Sequence, residues 1–351
     1  MIESLDKTRL ALLIKPSSFG DVVHAFPVVS ALKRSVPDIE IDWVVADQYV
    51  DLVRMSPNVR KIFPFQRKQW AKWWQPKTIS SISRCVKKIR EQRYGVVLDL
   101  QGLFRSGVIT FLSRSKTKVG FKSAREGAPI IYNIKVPVAD KDSHAIKKNM
   151  SVLNAIGLNT GSKIEFDLVI PKPETIWAET VIPKSPFVVI NPNTRWESKK
   201  WPLKKFGLLS RRLYDERGLL TVTIGGHEDR EMGSQINAIA GNCVTDLTGR
   251  GGIVHLAAIL KKSVGLVTSD SGPLHLAVAL GVPTVSIFGP TNPLNTGPYG
   301  NGHKVIRNNI ICSPCYSREC HVENHVCMET VSIDSVIKAC DSFVNSTSIK
   351  I

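Results

Sequence analysis

The chain has 351 residues, with 47 Lys and Arg against 30 Asp and Glu for a net charge of +17, and 43% of it is hydrophobic. That composition excludes a disordered or fibrous protein, and the length suits two domains. The basic excess asks for an anionic partner: nucleic acid, an anionic membrane face or a phosphorylated substrate.

The first apolar run, 10–15, reads as a strand and leads through the turn Lys15-Pro16-Ser17-Ser18-Phe19-Gly20 into a helix over 21–35. Ala25, Val28, Val29 and Leu32 recur on one face of that helix. Strands follow at 39–45 and 95–100, with a helix-like stretch at 103–112. Between positions 54 and 93 stand twelve Lys and Arg against one acid, Glu91, so forty residues hold +11 of the charge. The pattern then restarts: strands at 187–191, 219–224, 264–268 and 284–288 alternate with helices at 203–214, 228–240, 253–261 and 273–280. Near-continuous apolar strands between amphipathic helices mark parallel sheets covered on both faces. Four prolines in 171–186 suit an interdomain linker. The expected fold class is α/β, with two Rossmann-like doubly wound domains facing a central cleft. The expected boundaries are 1–172, a linker over 173–186, and 187–351, with the C-terminal helix free to pack back on the N-terminal domain.

No secretory signal is read, because 10–14 is too short for its apolar core. The uncharged stretch 271–302 holds five prolines and six glycines, a poor composition for a bilayer helix. A soluble or peripheral protein in the cytoplasm is expected. A reducing compartment disfavours a disulfide framework for the seven cysteines.

In doubly wound domains ligands bind where strands end and helices begin, so the chemistry is sought in those turns. Asp21 follows a glycine turn at a helix start; it reads either as a cap or as a general base, with Ser17, Ser18 and Gly20 offering donors. Arg195, Lys199 and Lys200 share a strand-end loop with Trp201 and Pro202, fit for a diphosphate or merely solvated. Ser269-Asp270-Ser271-Gly272-Pro273 joins small residues to a helix start, an anion cradle without the Walker spacing. His275 lies on that helix and has a structural reading as well. Glu228, after Gly225 and Gly226, is suited to a ribose. Cys312, Cys315, Cys320 and Cys327 carry two readings, a tetrahedral zinc site or reduced thiols packing a loop.

Taken together, these turns resemble one family. Lys15-x-Ser-Ser-x-Gly-Asp21, Lys199-x-Trp-Pro, Ser269-Asp-Ser-Gly-x-x-His275 and Phe288-Gly-Pro-Thr291 are similar to the bacterial lipopolysaccharide heptosyltransferases of glycosyltransferase family 9, over roughly 9–330. Asp99-x-Gln-Gly-Leu-x-Arg-Ser106, Ala124-Arg-Glu126 and Tyr132-Asn133 look most like heptosyltransferase I. The resemblance implies the GT-B fold and an inverting transfer of L-glycero-D-manno-heptose from ADP-heptose to Kdo-lipid A, with no cofactor and no catalytic metal. It implies Asp21 as base and Lys199 as the cation facing the departing diphosphate. Donor contacts implied are Ser17, Ser18, Gly20, Thr194, Glu228, Asp270, Ser271, Gly272 and His275. The basic segment fits an anionic glycolipid at the inner membrane face, with Arg67, Lys68, Lys72 and Arg125 as acceptor contacts and Trp70, Trp73 and Trp74 interleaved. The cysteine group is not required by the heptosyltransferase I pattern. Alternatives are heptosyltransferase II, acting on heptosyl-Kdo-lipid A, another family 9 sugar transferase, a sugar-nucleotide epimerase of the same fold, and a nucleic-acid-binding protein. The last has only the charge behind it, since no nucleic-acid motif is present.

Overall fold

The computed structural model describes residues 9–70, 75–138 and 142–347. Two compact units, 1–169 and 170–351, divide the chain. Each is built on one six-stranded, wholly parallel sheet.

In the first unit the strands are β1 (Leu10–Ile14), β2 (Glu40–Ala46), β3 (Lys61–Phe65), β4 (Val96–Asp99), β5 (Thr117–Phe121) and β6 (Ile134–Val136), ordered β3-β2-β1-β4-β5-β6. The second has β7 (Phe187–Asn191), β8 (Leu220–Thr223), β9 (Val244–Asp246), β10 (Gly265–Ser269), β11 (Thr284–Ile287) and β12 (His303–Ile306), ordered β12-β11-β10-β7-β8-β9. Counted from each unit's first strand, both orders are 3-2-1-4-5-6, the dinucleotide-binding arrangement. The order reverses between β1 and β4 in one unit and between β7 and β10 in the other. At that point neighbouring crossovers leave on opposite faces and a crevice opens beyond the carboxyl ends of the strands.

The central strands explain themselves. β1 and β7 are buried at every residue, and LALLI and FVVIN supply apolar side chains to both faces. Around them the first core gathers Leu12, Ile14, Val44, Val97 and Ile109, and the second Val188, Ile190, Phe206, Leu209 and Ile287.

Three readings change. The helix expected over 21–35 is two, Phe19–Val23 and Phe26–Ser35, separated at His24-Ala25. Pro27 takes an early position in the second helix, where its missing N–H costs no bond. The stretch read as a linker with a short helix around Trp177 holds the helix Lys172–Val181, longer than expected and packed on the helix Ile253–Lys262 with Trp177 edge-on to His255. The C-terminal helix Ile333–Thr347 packs within its own unit, on the helix Leu203–Arg217 and on β11 and β12. Phe343 fills the space over Gly265, where a Cβ would approach its ring to 2.5 Å, and that socket holds the helix there.

Candidate functional site

In the first unit the chain leaves β1 through Lys15–Ser18 and enters Phe19–Val23, next to the turn that follows β4. Lys15 is buried, and its Nζ donates to the Leu100 carbonyl at 2.9 Å and stands 3.8 Å from Asp21 Oδ1. Ser18 donates to Asp21 Oδ2 twice, from its N–H at 3.0 Å and from its Oγ at 2.7 Å. Asp21 therefore caps its short helix through Oδ2, while its side chain stays 45% exposed. The capping reading of this residue is seen directly, as a fixed carboxylate with a cation beside it.

Gln101 ties the two turns together by accepting the Ser17 N–H at 3.3 Å. Its own turn rests on Asp99, which is fully buried and accepts the N–H groups of Gln101 and Gly102 at 2.9 and 3.0 Å and the Tyr132 hydroxyl at 2.7 Å. Burial pushes the Asp99 carboxyl upward, and these hydrogen bonds oppose the shift. Gly102, at φ +66°, turns the chain so that its carbonyl accepts the Arg125 N–H. On the helix Ala145–Ala155, Lys148 is pushed below its ordinary value, first by burial and then by Lys15, with Asp21 opposing and Arg125 adding to the shift. Lys15, Asp21, Arg125 and Lys148 therefore share one electrostatic neighbourhood. Nothing in the sequence marks Lys148, which stands in an ordinary amphipathic helix.

In the second unit the loop after β7 turns Lys199 back to the end of β10. Lys199 Nζ lies 2.6 Å from Asp270 Oδ2 and 4.4 Å from the centre of the Trp196 ring. Thr291 Oγ1 donates to the same Asp270 oxygen at 2.8 Å, and His275 Nε2 stands 3.8 Å from Oδ1. Asp270 is thus the hub that aims the lysine, a role the sequence does not reveal because 71 positions separate the pair. Asn191 closes the other side: its Nδ2 donates to Thr268 Oγ1 at 2.9 Å and to Ser271 Oγ at 3.2 Å. Ser271 precedes the eight-residue helix Gly272–Ala279 and sits extended, so the first amides of that helix open beside Lys199 and Asp270. Thr194 is buried and bonds the Trp196 carbonyl. Glu228 is exposed, while its neighbour Asp229 is buried, accepting the Gly226 N–H and an Asn193 amide hydrogen.

The expected residues therefore form two groups. Ser17, Ser18 and Gly20 stand with Asp21 in the first unit. Thr194, Asp270, Ser271, Gly272 and His275 stand with Lys199 in the second, and Glu228 lies on the turn after β8. Of the acceptor contacts, Arg125 is exposed in the Asp21 neighbourhood. The backbone of Arg67 and Lys68 belongs to the helix Arg67–Trp70, but their side chains, together with Lys72, Trp73 and Trp74, lie outside the described residues. Near them a groove of about 520 Å³ runs along the edge strand β3, with Phe63 and Trp70 in its lining and Lys61, Arg84 and Lys88 among its cations.

Among the described residues no group of three or more His, Cys, Asp and Glu is placed to hold a metal ion. Cys312, Cys315 and Cys320 are exposed, whereas burial pushes the Cys327 thiol up to about 11, with the other three adding to it. The loop is held by other bonds: Ser198 to the Ser317 and Arg318 carbonyls, His325 to the Ser198 carbonyl, and Ser313 to Gly289. These bonds buttress the Lys199 loop and leave the thiols unassembled.

Two units of dinucleotide-binding order, each with a polar turn at its switch point, are the parts of a GT-B fold. The glycosyltransferase family 9 (heptosyltransferase) model matches residues 82–326. The lipopolysaccharide heptosyltransferase 1 of Pseudomonas aeruginosa is 30% identical over 88% of this chain and 86% of its own length. That of Escherichia coli K12 is 25% identical over 84% and 92%. Among solved structures, the E. coli heptosyltransferase WaaC with ADP superimposes with a TM-score of 0.79 at 22% identity, covering 95% of this chain and 99% of its own. E. coli ADP-heptose heptosyltransferase II gives 0.79 at 20%, over 96% and 99%. The chain belongs to glycosyltransferase family 9.

Proposed function

We propose that this glycosyltransferase moves L-glycero-D-manno-heptose from ADP-heptose to Kdo-lipid A, building the lipopolysaccharide inner core with inversion at the transferred carbon. The observation that carries the reading is the Lys199–Asp270–Thr291 cluster beside the start of the helix Gly272–Ala279, a cation and open amides in one unit of a family 9 chain. The P. aeruginosa and E. coli relatives, named heptosyltransferase 1, favour the first heptose over the second.

An inverting transfer is one in-line displacement. The acceptor hydroxyl oxygen attacks the anomeric carbon, the bond from that carbon to the phosphate oxygen breaks, and ADP leaves with the bonding pair. Asp21 takes the hydroxyl proton; its Oδ2 is anchored by Ser18, and its Oδ1 stands 3.8 Å from Lys15 Nζ. Lys199, aimed by Asp270 and Trp196, meets the charge that builds on the diphosphate. Ser271, Gly272 and Thr194 hold phosphate oxygens, His275 supports them through Asp270, and Glu228 accepts from the ribose. Arg125, with Arg67, Lys68 and Lys72, binds the charges of the acceptor. The enzyme works at the inner face of the inner membrane, where an acceptor carried on lipid A resides. Among the described residues no helix is long and apolar enough to cross a bilayer.

The test is transfer by the purified protein from ADP-heptose, with Kdo-lipid A and heptosyl-Kdo-lipid A as separate acceptors and the product mass as readout. A gain of one heptose on the first supports the reading. A gain only on the second assigns the enzyme to the next heptose, and no gain on either overturns the substrate assignment.

A further inference from the structure

The helix Phe104–Leu112 is turned the wrong way for a surface helix of a soluble protein. Ser106 and Thr110 face inward with Ile109; Ser106 Oγ bonds the Leu103 backbone and Thr110 Oγ1 donates to the Ser106 carbonyl at 2.9 Å. The opposite face carries Phe104, Val108 and Phe111, spaced i, i+4 and i+7 and hence in one stripe. Phe104 is 57% exposed and Phe111 63%. The short helix Ala128–Ile130 packs against the same helix, with Ile131 in contact distance of Gly107, and it adds Ile130 at 85% exposure. Ordinary amphipathic helices put such residues inside. Charge complements the stripe. From position 100 to 126 there are six cations (Arg105, Arg114, Lys116, Lys118, Lys122 and Arg125) and one acid, Glu126, which accepts the Phe104 N–H at 3.1 Å. All but the half-buried Lys118 are exposed, and Lys118 stands over the Phe111 ring.

We propose that this face is a membrane-docking surface, which sets Phe104, Phe111 and Ile130 into the headgroup–acyl boundary of an anionic bilayer while the surrounding cations meet lipid phosphates. Exposed apolar side chains and an excess of exposed cations on the same stretch of chain are the two signals that together give stable peripheral attachment, where either alone is marginal. The surface lies in the unit that holds Asp21, and it is joined to that site: Gly102, whose carbonyl receives Arg125, begins the turn into this helix. Docking here delivers the Asp21 neighbourhood to the plane in which a lipid-borne acceptor sits. The inference rests on the reading that the acceptor is carried in a membrane.

The experiment is sedimentation of the full chain with phosphatidylcholine vesicles, with and without about 30% phosphatidylglycerol. The variants are Phe104→Ser/Phe111→Ser/Ile130→Ser and, separately, Arg105→Gln/Lys116→Gln/Lys122→Gln. Wild type is expected to bind the anionic vesicles and to keep part of that binding at about 1 M salt, where the Debye length is only about 3 Å. The apolar triple variant should lose about 30-fold or more in partitioning and all of the salt-resistant part. The charge variant should lose only the salt-sensitive part. The apolar variant should keep the wild-type thermal midpoint and the transfer rate to a de-acylated, water-soluble acceptor. Wild-type partitioning by the apolar variant overturns the proposal. So does a wild-type dimer that this variant turns to monomer without change in vesicle binding, because the face would then belong to a second copy. Loss of transfer to the soluble acceptor by wild type itself sinks the proposed reaction and leaves the vesicle result standing on its own.

Discussion

At the residue scale the site depends on two side chains whose neighbours have already fixed them. Asp21 accepts from Ser18 through one oxygen and has Lys15 beside the other, so Asp21→Asn is expected to keep the cap and to remove the proposed base. Turnover should fall by about two to four orders of magnitude while ADP binding, measured by calorimetry, stays near wild type. Turnover within a few fold of wild type would reduce the residue to its capping role. On the role proposed for Lys199, Lys199→Ala should weaken both donor affinity and the rate, because the cation would face charge that grows as the bond breaks. It also leaves Asp270, only 6% exposed, without its ion-pair partner. Asp270→Asn at the same time is therefore expected to restore part of the stability that Lys199→Ala loses, and none of the activity. A double variant as unstable as the single one would show that the buried carboxylate is satisfied by Thr291 and His275 alone.

At the scale of elements, the strand β5 shows how a sheet residue supports the site from behind. Gly120 lies under Tyr132, and a Cβ there would meet the ring at 2.3 Å. Gly120→Ala should push Tyr132 off Asp99, at a cost of about 1–3 kcal/mol from overpacking. The midpoint should drop by roughly 2–4 °C per kcal/mol, and Tyr132→Phe, which deletes the hydrogen bond and nothing else, should reproduce only part of that drop. Equal midpoints for Gly120→Ala and wild type would mean the ring has room to move. The elements also show what a sequence makes legible. β1, β4, β7 and β10 stand out because strands covered on both faces must be apolar at successive residues, as LALLI is. β3, at the edge of its sheet, was not readable from KIFPF: Lys61 and Pro64 face solvent, and its proline suits an edge strand only. The break at His24-Ala25 is signalled by Pro27, although apolar residues continue at helical spacing straight through it. In the site, Asp21, Lys199 and Ser271 are readable since turn residues stand next to the strand that positions them. The Asp270 hub and the Lys148 neighbourhood are tertiary, and no local pattern encodes them.

For the whole molecule, the seven thiols divide by environment. Burial pushes Cys85 and Cys327 up to about 11, and Cys340 higher still, so all three stay protonated at pH 8 and poorly nucleophilic. Iodoacetamide at that pH should modify Cys312, Cys315 and Cys320 first, as read by peptide mass, with Cys340 reached only on unfolding. Early labelling of Cys340 would mean that the helix Ile333–Thr347 opens locally from its socket over Gly265. The shared strand order of the two units has a further consequence, for how such a chain changes over time. Each unit closes its own core and carries its own polar turn at its own switch point, with Asp21 in one and Lys199 in the other. Selection is therefore able to redraw the loops of the first sheet without disturbing the ion pair of the second. A chimera joined between Val169 and Ile170, taking its first unit from a relative with a different sugar acceptor, should keep its appetite for the same nucleotide while adopting the relative's taste in acceptors.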